Sequence, residues 1–331
     1  MIDIMFLVFG AMVGSFLNVC IVRLPLDKSV VFPASHCVHC KKSIAWYDNV
    51  PIISWLVLQG KCRHCEGPIS VRYWVVELAA ALIFWGFYRY FGLSPLLLPY
   101  LVMAGCFMVA VFVDFAHRII PDQVTVGGMA VGIVLSALIP ALHPEGPTDA
   151  ALGTAMAGTI VLVCMGLTFI YPFFCKHLME DDDPAADRPV KILVISSLLA
   201  SILINAGAGF LPARFEPYAW SLSAALSGFI VGGGLVYAMG LVGDIVFKKE
   251  SMGGGDVKLM AMVGAFMGWK LAILSFFLAP FFGAAYGIAE KIRTKDSTIA
   301  YGPFLVMGAL VSLFWGHAII RWVMNGGIYG L

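Results

Sequence analysis

Residues 4–22, IMFLVFGAMVGSFLNVCIV, form an apolar run with no charged side chain. The hydrocarbon core of a bilayer is about 30 Å thick, and roughly 20 helical residues cross it. The run therefore predicts a transmembrane helix at the start of the chain. Asp3 is the only charged residue before it, so the basic flank of a cleaved signal peptide is missing and we expect the helix to be retained.

Apolar runs of similar length recur along the whole chain. Together with the first run they lie at 4–22, 74–92, 95–113, 124–142, 151–175, 192–211, 220–247, 271–290 and 301–320. A tenth, shorter run at 257–268 follows a cluster of glycines and predicts either a tilted span or a half-helix buried among its neighbours. The predicted fold class is thus an all-α polytopic membrane protein with about ten transmembrane helices.

The composition excludes several classes of protein. Hydrophobic residues make up 60% of the 331 residues and charged residues 12%, against roughly 45–50% and about 25% in soluble chains. So little polar surface cannot coat a soluble fold, and it is equally unlike a disordered chain. The net charge of +1 also argues against a protein that only binds nucleic acid.

Lysine and arginine are distributed unevenly among the loops. Of the 21 such residues, 17 lie in the loops 23–72, 114–123, 176–191, 248–258 and 291–299, which alternating spans would place on one side of the membrane. Cytoplasmic loops carry an excess of Lys and Arg. We therefore expect these loops to be cytoplasmic and both termini to lie on the other side.

The loop 23–73 contains two CxxC pairs, Cys37 with Cys40 and Cys62 with Cys65. Two such pairs place four thiolates around one tetrahedral Zn²⁺, whereas disulfides are disfavoured in a reducing cytoplasm. About 50 residues build little core, so we expect a small zinc ribbon whose folding depends on the metal.

Some zinc ribbons bind nucleic acid through basic residues. The basic residues of this loop lie beside a membrane, where the orientation rule and anionic lipid headgroups explain them. We expect membrane lipid and no nucleic acid as a partner.

Two aspartates lie at predicted cytoplasmic ends of spans. Asp114 ends the third run, and Asp256 follows three glycines, the last of them Gly255, at the start of the tenth. Taken singly, Asp256 would be interpreted as an ordinary helix N-cap. Asp114 would be interpreted as a residue at the end of a span whose side chain reaches water. Taken together, two carboxylates at one depth predict a pair that shares a proton, as in aspartic proteases. Gly255 would let a substrate backbone approach closely.

Several segments of the chain carry a family resemblance. They are GSFLNVCIVRLP (14–25), the paired CxxC motifs, VPIISWL (50–56), VDFAHRIIPD (113–122) and GGGDVKLMAMVGAFMGW (253–269). Together they resemble the bacterial type IV prepilin peptidases, and their GxGD element is shared with intramembrane aspartic proteases of the presenilin type. The resemblance implies that Asp114 and Asp256 form the catalytic pair of a membrane aspartic endopeptidase.

The resemblance also implies substrates and a second activity. It implies removal of the short basic leader from prepilins and secretion pseudopilins, after the glycine that ends the leader, at the cytoplasmic face of the bacterial inner membrane. It further implies N-methylation of the new N-terminal residue with S-adenosylmethionine. Gly60 and Lys61 match a family element associated with this methyl transfer.

Two charged residues near these motifs have open interpretations. Lys258, two positions after Asp256, either contacts the acidic residue that the family's substrates carry beyond the cleavage point or is one more positive-inside lysine. Glu77 lies about one turn into the second span, where an unpaired carboxylate is costly. We expect its partner to be either Arg72 or the chemistry of methyl transfer.

The predicted division of the chain is a first span (1–22), the cytoplasmic zinc domain (23–73), spans with the first catalytic aspartate (74–142), an inserted pair of spans (143–219) and spans with the GxGD aspartate (220–331). An even number of inserted spans keeps both aspartates on one side.

A polytopic transporter or channel with acidic residues at the membrane boundary is the alternative function, although no inverted repeat is evident. A membrane anchor for the zinc loop is a third interpretation, and it gives the two aspartates no shared purpose.

Overall fold

The computed structural model describes residues 1–144, 146–174, 188–249, 251–294 and 300–324. Helices dominate this part of the chain, because an α-helix satisfies its own backbone hydrogen bonds and can therefore lie in lipid. Its α-helices are α1 (Ile2–Arg23), α2 (Ile53–Val57), α3 (Val71–Phe91), α4 (Leu97–His117), α5 (Asp122–Leu138), α6 (Pro147–Phe174), α7 (Arg188–Gly207), α8 (Glu216–Phe247), α9 (Gly254–Thr294) and α10 (Gly302–Met324). Short 3₁₀ turns occupy Leu24–Leu26, Trp46–Asn49, Pro140–Leu142 and Ala208–Phe210.

Eight of the described helices are long and apolar enough to cross a membrane, judged by length and composition: α1, α3, α4 and α6 to α10. The prediction of an all-α polytopic membrane protein is therefore confirmed. The span predicted at 124–142 is shorter, since α5 ends at Leu138 just before Ile139 and Pro140, and a residue preceding proline disfavours the helical conformation. Residues 175–187 and 295–299, which belong to two loops of the charge count, lie outside the described residues.

The chain divides into two compact units, unit 1 (Met1–Pro121) and unit 2 (Asp122–Leu331). The finer division into five segments stays a prediction. Unit 1 holds the cysteine loop and Asp114, and unit 2 holds the GxGD segment with Asp256.

In unit 1, helices α1 and α3 pack closely through small residues. A Cβ added at Gly10 would lie 2.7 Å from the carbonyl oxygen of Ala80, and one added at Gly14 would lie 2.8 Å from the Cβ of Ala80. Helices in lipid associate through such close van der Waals packing. The side chain of Trp85 adds a hydrogen bond of 2.9 Å from its indole nitrogen to Asp3. The two helices therefore form a fixed frame for the loop that connects them.

In unit 2, helix α8 contacts the first part of α9 backbone to backbone. A Cβ added at Gly228 would overlap the carbonyl oxygen of Gly264, and a Cβ added at Gly264 would overlap that of Gly228. Only glycine fits at either position, and the close approach holds the start of α9 against α8. This contact fixes the segment that begins with the GxGD aspartate.

Helix α9 is interrupted at Gly268, whose φ of 76° and ψ of 171° are not helical. The interruption separates the two predicted runs 257–268 and 271–290. Beside it, the ring nitrogen Nε2 of His143 lies 3.3 Å from the carbonyl oxygen of Ala265. Burial lowers the pKa of His143 to about 4, so the imidazole stays neutral and can donate to this carbonyl from Nε2.

Polar side chains join the two helices that were predicted as an insertion, α6 and α7, to each other and join α7 to α8. The amide nitrogen of Asn205 donates hydrogen bonds of 2.7 Å to Thr154 in α6 and of 2.7 Å to Ser223 in α8. The hydroxyl of Ser201 lies 2.7 Å from that of Thr154 and 3.0 Å from that of Ser223. Such bonds join helices that have no hydrophobic driving force between them in lipid.

Candidate active site and metal centre

The four cysteines of the CxxC pairs converge on one point of unit 1. Their sulfur atoms all lie within 4.8 Å of one another, and the Sγ atoms of Cys37 and Cys65 are 3.8 Å apart. A tetrahedron with Zn–S bonds of about 2.3 Å has sulfur–sulfur edges of about 3.8 Å. All four are free thiols rather than disulfides. The cluster that the spacing predicted is present and fits a metal such as zinc.

The two CxxC turns have the same local geometry. In the first, the N–H of Cys37 donates to the carbonyl of Lys42 (2.9 Å), and the N–H of Lys41 donates to the carbonyl of Cys37 (3.0 Å). In the second, Cys62 with Gly67 and Glu66 with Cys62 repeat these bonds, both at 2.9 Å. The fourth residue after each leading cysteine is left-handed, with φ of 60° at Lys41 and 52° at Glu66. Repeated turns of this kind aim both pairs of sulfurs at one centre.

The histidines beside the cysteines serve the loop rather than the metal site. His36 lies 3.0 Å from the carbonyl of Ala34, and the Nε2 of His39 lies 3.3 Å from the carbonyl of Pro68 in the other half of the loop. The backbone N–H groups of Cys40 and His39 lower the pKa of Cys37 to about 6, whereas burial and the other three cysteine side chains raise the pKa of Cys65 to about 11. Four sulfur ligands complete a closed shell without imidazole.

Gly60 and Lys61 form the turn that leads into the second CxxC pair. Gly60 has a φ of 68°, and a Cβ added there would lie 3.0 Å from the ring of Trp55. Its carbonyl accepts a hydrogen bond of 2.6 Å from the N–H of Ile69, and Lys61 forms an isolated β-bridge with Pro68. Both residues therefore order the ribbon, and a role in methyl transfer stays a prediction.

Glu77 is 8% exposed and lies on the face of α3 that meets the loop. Its Oε2 accepts a hydrogen bond of 2.7 Å from the backbone N–H of Ile52, and no ion pair with Arg72 exists in the described structure. Ile52 has a φ of 64°, which is strained for a β-branched residue. The carboxylate thus holds an unusual backbone conformation, a partner that the sequence did not indicate.

Asp114 is 5% exposed and lies in the last turn of α4. The helix is capped by Arg118, which has a φ of 56°. The N–H of Arg118 donates a hydrogen bond of 2.8 Å to the carbonyl of Asp114. A carboxylate in the last turn faces the negative end of the helix dipole, and burial removes its water. A buried carboxylate at a helix C-terminus is the position that the sequence predicted for the first aspartate of the pair.

Asp256 lies in the first turn of α9, which begins at Gly254. The aspartate is therefore the third helical residue rather than the N-cap that it resembles in the sequence. The N–H of Asp256 donates a hydrogen bond of 3.1 Å to the carbonyl of Gly253. A Cβ added at Gly253 would lie 3.7 Å from the Oδ2 of Asp256. The glycines leave this carboxylate beside bare backbone at the positive end of a helix dipole. Asp114 and Asp256 belong to different units, and their pairing stays a prediction.

Asp244 in the last turn of α8 holds the loop that precedes Asp256. Its Oδ1 accepts hydrogen bonds from the backbone N–H of Ser251 (2.7 Å) and from the Ser251 hydroxyl (2.8 Å). The hydroxyl of Tyr171 lies 3.5 Å from its Oδ2. Asp244 therefore fastens the segment just before the GxGD glycines.

Lys258 is paired with Asp122 at the start of α5. Its Nζ lies 2.7 Å from both carboxylate oxygens. Both side chains are substantially exposed, and an exposed ion pair is worth about 0–1 kcal/mol. A substrate carboxylate would therefore have to compete with only a weak pair, and the substrate contact of Lys258 stays a prediction.

Tyr301, one residue before α10, is a neighbour of Asp256 that sequence spacing did not indicate. Burial and the negative charge of Asp256 raise the pKa of Tyr301, so its hydroxyl stays protonated. The two residues are 45 positions apart, and no motif joins them. Only the packing of α10 shows that this phenol lies within the electrostatic reach of the aspartate.

Comparison with known proteins gives two family matches. Residues 8–91 match the bacterial peptidase A24 N-terminal domain, and residues 189–288 match the type IV leader peptidase family. No solved structure is significantly similar to the chain.

Three curated relatives share the name prepilin leader peptidase/N-methyltransferase. The protein of Myxococcus xanthus is 33% identical over 287 residues, covering 87% of this chain and 62% of its own length. The protein of Aeromonas hydrophila is 27% identical over 354 aligned positions (96% and 92%), and that of Pseudomonas aeruginosa is 26% identical over 341 (95% and 91%). This chain thus spans less than two thirds of the Myxococcus protein but nine tenths of the other two. These names do not favour a transporter or channel.

Proposed function

Because the chain belongs to the type IV leader peptidase family, we propose that it is a membrane aspartic endopeptidase and N-methyltransferase of type IV prepilins. It removes the short basic leader and then methylates the new N-terminal amine. The observation that carries this proposal is similarity along 96% of the chain to a protein of that name.

Asp114 and Asp256 are the proposed catalytic pair. Two neighbouring carboxylates share one proton, so one can act as a base while the other acts as an acid. The base removes a proton from water, whose oxygen attacks the carbonyl carbon of the scissile bond, while the acid protonates the carbonyl oxygen. As the C–N bond breaks, the protonated base gives its proton to the leaving nitrogen, and the other carboxylate takes a proton back from a hydroxyl of the tetrahedral intermediate, so that the pair again holds one proton. We assign Asp256 as the base, because the N-terminus of α9 favours its charge, and Asp114 as the acid.

Gly255 and Lys258 are proposed to receive the substrate. Gly255 has no side chain beside Asp256, so an extended substrate backbone can approach the carboxylate. Lys258, one turn further along α9, would exchange Asp122 for an acidic residue of the mature pilin. This exchange costs little because the existing pair is exposed.

Two cofactors complete the proposal. Zn²⁺ would be held by the four thiolates of Cys37, Cys40, Cys62 and Cys65, and a closed four-sulfur shell is typical of a structural rather than a catalytic metal. S-adenosylmethionine, when bound, supplies an electrophilic methyl group. Gly60, Lys61 and Glu77 are proposed to serve methyl transfer, and all three lie in unit 1 with the ribbon.

The chain is a multi-pass membrane protein, and we propose the bacterial inner membrane as its location, with the active site at the cytoplasmic face. The bias of Lys and Arg toward one set of loops supports this orientation. Secretion pseudopilins are proposed as further substrates, with membrane lipid as a contact and no nucleic acid as a partner.

Purified protein in detergent, incubated with a prepilin and labelled S-adenosylmethionine, is expected to yield a pilin that lacks its leader and carries one methyl group.

Methylation should be separable from cleavage, because its proposed residues lie in unit 1 and Asp256 lies in unit 2. Asp256→Asn protein should still label a chain whose leader has already been removed, whereas Lys61→Ala should weaken labelling more than cleavage.

Two negative results would contradict different parts of this proposal. If the wild-type protein leaves the prepilin uncut, the peptidase assignment is wrong. If it cuts the prepilin but transfers no label to a pre-cleaved chain that it demonstrably binds, only the peptidase survives.

Asp244→Ala is expected to reduce kcat for cleavage by about tenfold with little change in KM, because the loop before Asp256 loses two hydrogen bonds to a charged acceptor. Asp244→Asn keeps an oxygen that can accept from Ser251 and should restore most of the rate. Steady-state kinetics on a prepilin measure both. A role in general folding alone would instead leave both variants with normal kcat per folded molecule.

A further inference from the structure

Unit 1 contains a cavity of about 880 Å³ between α1, α3 and the cysteine loop. Its volume lies within the range of about 300–1,000 Å³ that is typical of sites for small molecules. Asn18, Arg72, Tyr73 and Glu77 contribute from the helices, and Trp55 contributes from the loop. All of these residues belong to the same unit, so the cavity is a property of unit 1 alone.

Only one of the two polar atoms in the side-chain amide of Asn18 has a hydrogen-bond partner. The residue is 1% exposed, and its Nδ2 donates 2.9 Å to the carbonyl of Tyr73. This bond leaves the Oδ1 buried with no hydrogen-bond partner. An unpaired buried acceptor is costly, so its presence in the wall of a cavity points to a ligand that donates a hydrogen bond.

Glu77 adds a second acceptor to the same cavity. Its Oε2 accepts a hydrogen bond of 2.7 Å from the backbone N–H of the strained Ile52. No lysine, arginine or histidine forms an ion pair with it in the described part of the chain. A buried carboxylate without a cationic partner is suited to a ligand that brings a positive charge of its own.

Arg72 contributes the opposite charge. Its Nε is buried without a hydrogen-bond partner, while its guanidinium lies 5.7 Å from the centre of the Tyr73 ring. Guanidinium groups pair with carboxylates in fixed geometry. The cavity therefore offers two acceptors for an ammonium group and one donor for a carboxylate, which together match the two ends of an α-amino acid.

We propose that this cavity binds S-adenosylmethionine through its amino-acid portion, with Asn18 and Glu77 receiving the ammonium group and Arg72 the carboxylate. The inference rests on the proposed N-methyltransferase function and gives it a site. The aromatic and apolar wall of the loop, including Trp55 and Ile69, receives the nucleoside portion.

The test is direct binding of S-adenosylhomocysteine, which keeps the amino acid and the nucleoside but transfers no methyl group. Isothermal titration of the full-length protein in detergent compares the wild type with Glu77→Gln and Asn18→Leu. Each variant is expected to bind about tenfold more weakly or worse, because each loses a bond to a charged ligand group. Glu66→Gln is the matched control, since Glu66 is exposed and lies outside the cavity, and it should bind as the wild type does.

A second ligand separates the amino-acid contacts from general damage to the cavity. 5′-Methylthioadenosine lacks the amino acid, so its affinity should be the same for the wild type and both variants. Zinc content and prepilin cleavage should also match the wild type, which shows that the variants fold. This set of results would support the proposed contacts.

Other outcomes overturn the site without touching the peptidase. If both variants bind S-adenosylhomocysteine as tightly as the wild type, the amino-acid contacts are wrong while the methyltransferase stands. If they lose affinity only for the N-terminal amine of a pre-cleaved pilin, the cavity belongs to the methyl acceptor instead. If the wild type neither binds S-adenosylhomocysteine nor labels a pre-cleaved chain, the methyltransferase itself fails.

Discussion

Asp256→Asn and Asp114→Asn should each reduce prepilin cleavage by about 10²–10⁴-fold, the contribution expected of a general acid or base. Asparagine has nearly the shape of aspartate but cannot take a proton from water or give one to a carbonyl. Loss of either carboxylate therefore removes the shared proton on which the pair depends. Asp114 is buried and Asp256 lies beside bare glycine backbone, and both settings are compatible with the proposed pair.

The measurement is the rate at which the purified variants shorten a prepilin in detergent, with zinc content and thermal unfolding as checks on folding. Asp122→Asn is the matched control, since its exposed pair with Lys258 is worth about 0–1 kcal/mol and its loss should change the rate only slightly. Substantial cleavage by a folded Asp114 or Asp256 variant would remove that aspartate from the catalytic pair.

Changing Cys37 and Cys62 together to serine should remove the bound Zn²⁺ completely. One ligand would be lost from each CxxC turn, and structural zinc contributes about 10–16 kcal/mol of apparent binding free energy in small zinc domains. The loop has little core of its own, so we expect it to unfold. Methyl transfer should then be lost, because Trp55 and Ile69 of this loop line the cavity. Cleavage should suffer less, since Asp114 and Asp256 lie on helices outside the loop.

Elemental analysis of protein purified without chelator measures the effect, with one Zn²⁺ per chain expected in the wild type. Cys164→Ser is the matched control, because Cys164 lies in α6 and bonds to the carbonyl of Gly234, a bond that serine can also make. Wild-type protein without zinc, or a double variant that keeps it, would contradict the assignment.

The metal cluster illustrates what spacing can predict. Each CxxC turn is closed by hydrogen bonds within six residues, as the bonds of Cys37 with Lys42 and of Cys62 with Gly67 show. Geometry of that range is local, so the sequence alone indicates four sulfurs around one metal. The structural role of Gly60 could not be predicted from spacing in this way, since its contact with Trp55 and its positive φ appear only in the folded loop.

The aspartates illustrate the limit. Sequence pattern identified Asp114 and Asp256 as span-end carboxylates, yet it presented Asp256 as an N-cap, and the structure places it inside the first turn of α9. Boundaries shift by one or two residues because glycine permits several backbone shapes before a helix. The partners of Asp244 and the proximity of Tyr301 to Asp256 were not readable at all, since neither follows a repeating pattern.

The sequence by itself determined that this chain is a helical membrane protein with four cysteines spaced to hold one metal ion. A helix must bury about 20 successive apolar residues to cross lipid, and a CxxC turn must close on itself, so both leave a signature within a short stretch. Tertiary structure alone decided that Lys258 pairs with Asp122, 136 positions away, and that Asn18 and Glu77 share a cavity. Those contacts depend on how each helix is rotated and how closely its neighbour approaches, as at Gly228 and Gly264. Hydropathy carries no record of that rotation, because in lipid nearly every face of a helix is apolar.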